Sequence, residues 1–329
     1  MISNEIEHPA PVLIPPPLKP GDAVGIVALS SPVDEELLSR GTSFLEGLGL
    51  QVTLGCNVLE RNGYLAGTDE QRCMDLNQML RDPLIRGIVC ARGGYGVMRL
   101  LESADRAAIR NDPKIILGMS DVTALQLSLF TSCRLVTLSG PMPAGQVASE
   151  PEELSLERLL TALTRPLYGM NLFAGIEEDL RTHRPGRARG TILGGCLSLV
   201  TALLGTPHSP DYGGSILLLE EVNEPLYRID RMLVQLKLAG VLDSVNAVLL
   251  GYFLGPSGAD TALDVGRLIT ELTEPRAVPV IGGFPYGHKV PNVTVPHGMD
   301  AELDTYRPKL VLTGEADRFM KAVADMASR

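Results

Sequence analysis

The segment IILGMSDVTALQLSLF (residues 115–130) indicates an α/β fold, because an apolar run leads through the turn GMSD directly into a helical pattern. Such a short apolar run is typical of a buried strand of a parallel sheet. A serine on this turn would be exposed at the carboxyl end of the strand, as a nucleophile is on an elbow, with unpaired helix N–H groups nearby. Ser and Asp are also the favoured N-cap residues of ordinary helices. By itself, this stretch favours the helix cap.

Strand and helix patterns alternate on both sides of this stretch, up to about residue 147. Repeated β-α-β units predict a parallel sheet with helices on both faces, and chemistry at the carboxyl ends of its strands. The predicted strands are AVGIVAL (23–29), QVTLG (51–55), IRGIVCA (85–91), KIILG (114–118) and VTLSGPMP (136–143). The predicted helices are residues 30–49, 69–82, 96–104 and 121–133.

The second half also contains β-α units, without an internal repeat, after a weaker stretch that holds one predicted helix, LSLERLLTAL (154–163). Its predicted strands are TILGG (191–195), SILLLEE (215–221), VNAVLLGYF (245–253), AVPVIGGF (277–284), AELD (301–304) and KLVLT (309–313), and its predicted helices are residues 196–205, 227–240 and 264–274. The 329 residues suggest two domains. We predict a proline-rich arm (1–20), an N-terminal α/β domain (21–147), a connection (148–188) and a C-terminal domain (189–329).

The composition and charge of the chain argue against several classes of partner and site. A net charge of −10 argues against nucleic acid, because a phosphate backbone attracts basic proteins. No apolar run reaches about 18 residues, so no membrane span is expected, and the N-terminus lacks the basic and apolar regions of a signal peptide. Five dispersed cysteines argue against a disulfide framework and a zinc site. We predict a cytoplasmic protein without a metal or an organic cofactor.

A glycine-rich turn follows a predicted strand in CARGGYGVMRLL (residues 90–101). Its glycines would let the backbone approach a ligand closely. Phosphate binding is a weak interpretation, since the string is neither G-x-G-x-x-G nor a Walker A loop. A second interpretation is an N–H donor for an oxyanion, together with Arg92 for a carboxylate. A third is a tight turn without a ligand.

Candidate partners for a catalytic serine lie in the second half. Glu220 and Glu221 end the apolar strand of SILLLEEVNEPLYRIDRMLVQL (residues 215–236), where they would orient a histidine or simply favour the next helix N-terminus. His288 and His297 lie in the irregular loop FPYGHKVPNVTVPHGMDAELD (residues 284–304). A loop histidine is more often a surface residue, and no second metal ligand has suitable spacing. Serine, glutamate and histidine in this order are compatible with a triad for acyl transfer.

Six ordered strings resemble the successive motifs of the LD-carboxypeptidase family of serine peptidases. This family includes the muramoyl-tetrapeptide carboxypeptidases and the microcin C self-immunity proteins. The resemblance extends over about residues 18–312. The strings are LKPGDAVGIVALSSP, ARGGYGVMRLL, GMSDVTAL, GGCLSLVTALLGTP, LLLEEVNEPLYRIDRMLVQLKLAG and GHKVPNVTVPHGMDAEL.

The resemblance implies a Rossmann-like parallel-sheet N-terminal domain and a smaller α+β C-terminal domain, with the active site in the cleft between them. It also implies a homodimer. Ser120 would be the nucleophile, and Glu220 and His288 would complete the triad. The backbone N–H groups of Asp121 and Gly94 would form the oxyanion hole.

The activity implied by the resemblance is removal of a C-terminal D-alanine from murein tetrapeptides in cell-wall recycling. Arg92, Tyr227 and Arg231 are candidate ligands of substrate carboxylates. The EPLYRIDR stretch resembles the recycling branch more than the immunity branch. One alternative is a related amidase that hydrolyses a peptidyl-nucleotide antibiotic with the same triad. Another is a non-catalytic α/β ligand-binding protein in which Ser120 is only a helix cap.

The chain departs from the family pattern at three positions. Leu29, Cys196 and Glu221 stand where proline, asparagine and aspartate are usual. None of them removes a member of the implied triad. The change at Cys196 bears on the domain packing or the pocket.

Overall fold

The computed structural model describes residues 11–314, so the first half of the predicted arm and the end of the predicted C-terminal domain lie outside the described residues. The strands are β1 (Ala23–Val27), β2 (Gln51–Leu54), β3 (Ile85–Cys90), β4 (Ile115–Gly118), β5 (Thr137–Ser139), β6 (Arg181–Arg184), β7 (Arg187–Cys196), β8 (Ile216–Val222), β9 (Ala247–Leu254), β10 (Val280–Gly282), β11 (Val295–His297), β12 (Asp300–Asp304) and β13 (Lys309–Thr313). The helices are α1 (Glu35–Gly47), α2 (Asp69–Arg81), α3 (Arg106–Asn111), α4 (Thr123–Cys133), α5 (Glu153–Thr164), α6 (Leu197–Ala202), α7 (Leu226–Leu238), α8 (Val241–Ser244) and α9 (Ala262–Leu272).

Each strand and helix predicted from the sequence overlaps an observed one. Residues 96–104, which were predicted as a helix, form a 3₁₀ helix (Val97–Ser103) rather than an α-helix, and it lies ahead of α3. The sequence analysis did not predict α3, α8, β6 or β11. Helix starts follow ordinary capping chemistry: Asp34 accepts the Leu37 amide at α1, and Thr68 forms a capping box with Gln71 at α2.

The first sheet has the strand order β11-β5-β4-β3-β1-β2. Strands β1 to β5 run parallel to one another, as the β-α-β pattern predicts. Strand β11 comes from the loop that carries the two histidines, and it pairs antiparallel with β5. The C-terminal half of the chain therefore completes the N-terminal sheet.

The second sheet has the order β13-β12-β7-β8-β9-β10-β6. Strands β7 to β10 are parallel, whereas β6 and the β12–β13 hairpin add antiparallel edges. Since β8 ends at Val222, the carboxyl ends of the parallel strands carry Glu220 and Glu221. The α/β fold with two sheets is as expected from the sequence.

Helix α4 lies between the two sheets. Its side chains are buried almost all round, as is typical of a helix covered on every side. Leu127 and Leu129 share one apolar core with Leu193 and Leu217 of the second sheet. Because α4 directly follows the GMSD turn, this packing fixes the turn against both halves of the molecule.

The described part of the proline-rich arm packs against the N-terminal half. The Leu13 amide donates to the Arg134 carbonyl (2.9 Å), and the Val136 amide donates to the Leu13 carbonyl (2.8 Å). Leu18 is buried. The predicted domain bounds stay predictions. Within residues 11–314, no helix combines the length and apolar character that a membrane span requires.

Candidate active site

Ser120 lies at the carboxyl end of β4, in the turn before α4. Its φ is +62°, in the left-handed region that a residue with a side chain enters at a cost of about 1–3 kcal/mol. The N-cap residues of the 3₁₀ turn (Ser120–Val122) and of α4 are Met119 and Val122, so Ser120 caps neither helix. Its Oγ lies 2.9 Å from Nε2 of His288 instead. The turn therefore presents the hydroxyl to a partner from the other half of the chain, and the helix-cap interpretation does not describe it.

His288 joins Ser120 to Glu220. The imidazole Nδ1 lies 2.8 Å from Oε2 of Glu220, on the side of the ring opposite Ser120. A carboxylate can only accept, so Nδ1 carries the proton and Nε2 is free to accept the Ser120 hydroxyl proton. The structure thus brings together the three residues that the sequence proposed as a triad, in the order that acyl transfer needs.

Close backbone approach makes this arrangement possible. A Cβ on Gly287, where φ is +121°, would lie 2.6 Å from Oε2 of Glu220. A Cβ on Gly93 would lie 2.8 Å from Cβ of Ser120 and 3.0 Å from its Oγ. Side chains at either position would push the triad members apart.

Burial and charge act against each other at His288. Burial favours the neutral imidazole, but the charge of Glu220 and its hydrogen bond outweigh this and raise the pKa of His288 above its ordinary 6.5. Glu220 is 1% exposed, and its Oε1 has no hydrogen-bond partner among the described residues. A buried carboxylate of this kind strongly favours an imidazolium beside it, which is the species formed when His288 takes a proton.

Asp121 supports the turn from the other side. Its buried carboxylate accepts from the Ser30 hydroxyl (2.7 Å) and from the Val97 amide (2.9 Å). Burial raises the pKa of Asp121, and these hydrogen bonds act in the opposite sense. The side chain therefore ties the elbow to the end of β1 and to the helix that follows the GGYG turn.

The predicted oxyanion donors lie on these two turns. Within residues 11–314, the backbone N–H groups of Gly94 and Asp121 have no protein acceptor. Gly93, one of the two glycines expected to allow a close backbone approach in this turn, packs directly against Ser120. The assignment of Gly94 and Asp121 as donors stays a prediction.

His297 has a different environment from His288, although the sequence places both in one loop. It is fully buried on β11, where its Nε2 accepts the Gly194 amide at 2.9 Å. Burial lowers the pKa of His297 to about 4. It has no contact with Ser120 or Glu220 among the described residues and holds the two sheets together.

The three candidate substrate ligands are all exposed. Arg92 donates to the carbonyls of Pro32 and Gly93, each at 3.3 Å, and so lies on the turn beside Ser120. Tyr227 and Arg231 lie on α7, and no contact joins them to the triad in the described part of the chain. Their roles stay predictions.

A cavity of about 690 Å³ adjoins Lys289, the residue after His288. Both signs of charge line it. Its charged and ionisable lining residues are Asp179, Arg181, His183, Tyr252, Asp260, Asp264, Arg267 and Lys289. Burial, then the charges of Arg181 and Arg267, lower the pKa of His183, so both guanidinium groups act on the imidazole. The sequence analysis missed this cavity, because its walls come from segments between residues 179 and 291.

The structure shows the contacts of the three residues that depart from the family pattern. Leu29 is fully buried in the apolar core. The buried carboxylate of Glu221 accepts the Ser198 amide (2.7 Å) at the start of α6. The Cys196 amide donates to Oγ1 of Thr123 (3.4 Å), the first residue of α4. Position 196 thus lies where the second sheet meets the helix of the elbow.

Comparison with known proteins identifies the family. The LD-carboxypeptidase N-terminal domain matches residues 24–140, and the LD-carboxypeptidase C-terminal domain matches residues 189–303. The chain belongs to the LD-carboxypeptidase family. It is a serine-type carboxypeptidase, which confirms the family and the enzyme class expected from the six motifs.

Three relatives illustrate the range of the family. A probable murein peptide carboxypeptidase of Bacillus subtilis is 36% identical over 302 residues, covering 91% of this chain and 93% of its own. The murein tetrapeptide carboxypeptidase of Pseudomonas aeruginosa is 34% identical, covering 86% of this chain and 94% of its own. The microcin C7 self-immunity protein MccF of Escherichia coli is 27% identical, covering 93% of this chain and 96% of its own. An MccF structure with aspartyl sulfamoyl adenosine superimposes with a TM-score of 0.85 at 26% identity, covering 92% of this chain and 99% of that one.

Proposed function

We propose that this LD-carboxypeptidase removes the C-terminal D-amino acid, D-alanine, from murein tetrapeptides during cell-wall turnover. The observation that carries the proposal is the continuous path from Glu220 through His288 to Ser120, with distances of 2.8 and 2.9 Å. The names of the Bacillus and Pseudomonas relatives support the substrate class. The same distances argue against a non-catalytic ligand-binding protein in which Ser120 is only a helix cap, because the hydroxyl contacts His288 instead.

The reaction follows from this path. Ser120 Oγ attacks the carbonyl carbon of the last peptide bond while His288 Nε2 takes the hydroxyl proton. When the tetrahedral intermediate collapses, the C–N bond breaks and His288 gives its proton to the leaving nitrogen. The C-terminal amino acid departs, and an ester remains on Ser120. A water molecule that loses a proton to His288 then hydrolyses the ester, which restores the hydroxyl.

Two groups would stabilise the charges of the intermediate. Glu220 faces the imidazolium at 2.8 Å and holds the ring so that Nε2 points at Ser120. The free N–H groups of Gly94 and Asp121 would face the oxyanion, where one donor is worth about 10²–10³ in rate. Both amides lie on turns that the buried Asp121 side chain fixes through Ser30 and Val97.

In this proposal the cavity beside Lys289 is the part of the substrate cleft that holds the peptide away from the scissile bond, because no triad residue lines it. A murein peptide carries free carboxylates, and guanidinium groups bind carboxylates in a bidentate manner. Arg181 and Arg267 offer such groups, and Lys289 adds a third cation next to the triad histidine. Asp179 and Asp260 on the same cavity suit an ammonium group of the peptide.

The proposal extends to a cytoplasmic homodimer. The family resemblance supports the dimer, and a role in the turnover of murein peptides supports the location. Light scattering behind a size-exclusion column tests the dimer. A mass near 35.3 kDa at working concentration would contradict it.

The experiment is an assay of the purified full chain on a murein tetrapeptide, with the released amino acid and its configuration measured by chiral chromatography. We expect release from the peptide ending in D-alanine and none of the L-amino acid from the matched peptide ending in L-alanine. Ser120→Ala should lower kcat by about 10³–10⁶ with an unchanged circular dichroism spectrum. Undiminished turnover by that variant would contradict the triad. Hydrolysis of a peptidyl-nucleotide but not of the tetrapeptide would contradict the murein assignment and favour an activity like that of MccF.

A further inference from the structure

Asn292 is a fully buried polar residue close to the triad, but it is not a member of the triad. It lies in the loop between His288 and β11, and its side chain contacts segments from both halves of the chain. Buried amides are retained where their hydrogen bonds are satisfied. The hydrogen bonds of the Asn292 side chain show which segments it connects.

The amide oxygen of Asn292 accepts the backbone N–H of Gly287 at 3.0 Å. Gly287 directly precedes His288, so this bond fixes the turn that carries the imidazole. On the other side, Nδ2 lies 3.1 Å from the sulfur of Met119. Met119 directly precedes Ser120. One side chain therefore touches the residue before the nucleophile and the residue before its base.

Gln146 closes a ring around the same turn. Nδ2 of Asn292 donates to Oε1 of Gln146 (2.6 Å), and Nε2 of Gln146 donates to the Gly287 carbonyl (3.2 Å). Both polar groups of the Gly287 backbone are thus held by this pair of amides. The Asn292 backbone is anchored in turn, because its N–H donates to the Ser155 hydroxyl at 2.7 Å.

We propose that Asn292 and Gln146 are positioning residues that hold the Gly287–His288 turn against the Met119–Ser120 elbow. They act through these turns and touch neither the substrate nor the reacting atoms. The pair sets the distance between Ser120 Oγ and His288 Nε2 across the boundary of the two halves. This inference rests on the proposed function, because it concerns the efficiency of the same triad.

The test compares Asn292→Ala, Gln146→Ala and the double variant with the unmodified chain. Removing Asn292 releases the Gly287 amide, and a displacement of about 1 Å at the triad costs about 10² in kcat. We expect that loss with little change in KM, since the substrate cleft is intact. Gln146→Ala should lower kcat less, because Asn292 still holds the Gly287 amide. The double variant should be about as slow as Asn292→Ala alone, since the pair works as a unit.

Asn171→Ala is the matched control. The Asn171 side chain accepts the backbone N–H groups of Phe173 (3.2 Å) and Leu310 (3.1 Å), away from the triad. It should lower the melting temperature without lowering kcat. If the Asn171 and Asn292 variants lose kcat equally, or if the effects of Asn292 and Gln146 simply multiply, the positioning role is overturned.

Two further arrangements keep the test decisive. Should Asn292→Ala not fold, Asn292→Asp retains the acceptor for Gly287 and loses the donor to Gln146, and it should match Gln146→Ala in kcat.

Labelling of Ser120 by a fluorophosphonate needs the activated serine but no peptide. A chain that is labelled but cleaves no murein peptide refutes the proposed substrate, while slower labelling of Asn292→Ala still supports the positioning role. Equal labelling rates overturn that role.

Discussion

His288 and His297 lie in the same loop, yet the fold gives them opposite chemistry. His288 stands at the carboxyl end of the second sheet beside Glu220, and its pKa lies above the ordinary 6.5. His297 stands on β11, an edge strand of the first sheet, where burial lowers its pKa to about 4. A neighbouring carboxylate makes the first a base that can hold a proton. Because no carboxylate contacts His297 among the described residues, His297 stays neutral and has a structural role, accepting the Gly194 amide.

The two shifts also have opposite effects on stability. A raised folded-state pKa means that His288 stabilises the fold below pH 6.5 and that this contribution is lost as the pH rises through the folded-state pKa. A lowered folded-state pKa means that His297 favours the folded state above pH 6.5. Below that, the unfolded chain binds the proton first and stability falls.

The largest difference should appear in turnover. His288→Ala removes the only base in contact with Ser120 among the described residues and should lower kcat by about 10³–10⁶. His297→Gln, which can still accept the Gly194 amide, should leave kcat of the folded enzyme nearly unchanged. Steady-state kinetics on the tetrapeptide measure both. A comparable loss of kcat in the two variants would break the contrast between the histidines.

The carboxylate that separates the two histidines gives the next largest effect. Glu220→Gln should lower kcat by about 10⁴, because an amide no longer enforces the productive tautomer of His288. Glu221→Gln is the matched control, since that neighbouring carboxylate bonds the amides of Ser198 and Val222 rather than His288. Steady-state kinetics of both variants at one pH measure these two values of kcat. Equal losses in the two variants would mean that local charge, not the contact with His288, matters.

A stability measurement tests the other side of the comparison. Between pH 6.5 and the folded-state pKa of about 4, protonation of His297 in the unfolded chain should lower the unfolding free energy by about 1.4 kcal/mol per pH unit, or about 3 kcal/mol in all. Urea unfolding across this range measures it. His297→Gln should flatten the slope, and an unchanged slope would show that His297 does not titrate in this way.

The smallest effect is a shift in the pH profile. Since the base must be neutral, the acid limb of kcat/KM should have its midpoint above pH 6.5 in the unmodified enzyme. Glu220→Gln removes the raising charge and leaves the burial, so the residual activity should have a midpoint at lower pH. A midpoint that stays in place would show that another group controls the profile.

Much of this fold could be predicted from local pattern. The alternation of apolar runs and helical spacings located the strands and helices, because burial on a sheet face or a helix stripe leaves a periodic record. Strand β11 escaped, since VPH is too short and too proline-interrupted to show a period. Strand β6, RTHR, escaped because an exposed edge strand needs no apolar residues.

The candidate site divides in the same way. The stretch around Ser120 by itself favoured a helix cap, because a cap and an elbow use the same residues at a helix start, and only the family resemblance implied a nucleophile. Asn292 carried no signal beyond being a polar residue in an apolar, proline-rich loop. The cavity beside Lys289 had none at all, since its lining residues are dispersed along the chain.

The sequence alone therefore determined the α/β architecture, the order of serine, glutamate and histidine, and the family that these motifs indicate. The residues by themselves left two loop histidines open, and the family resemblance pointed to His288. The tertiary structure is what places His288 opposite the serine, through a contact between residues 168 positions apart. Local periodicity records burial, but it carries no record of which distant side chain fills the space opposite. That choice depends on helix α4 and strand β11, which pack the two halves together and place His288, not His297, beside Glu220 and Ser120.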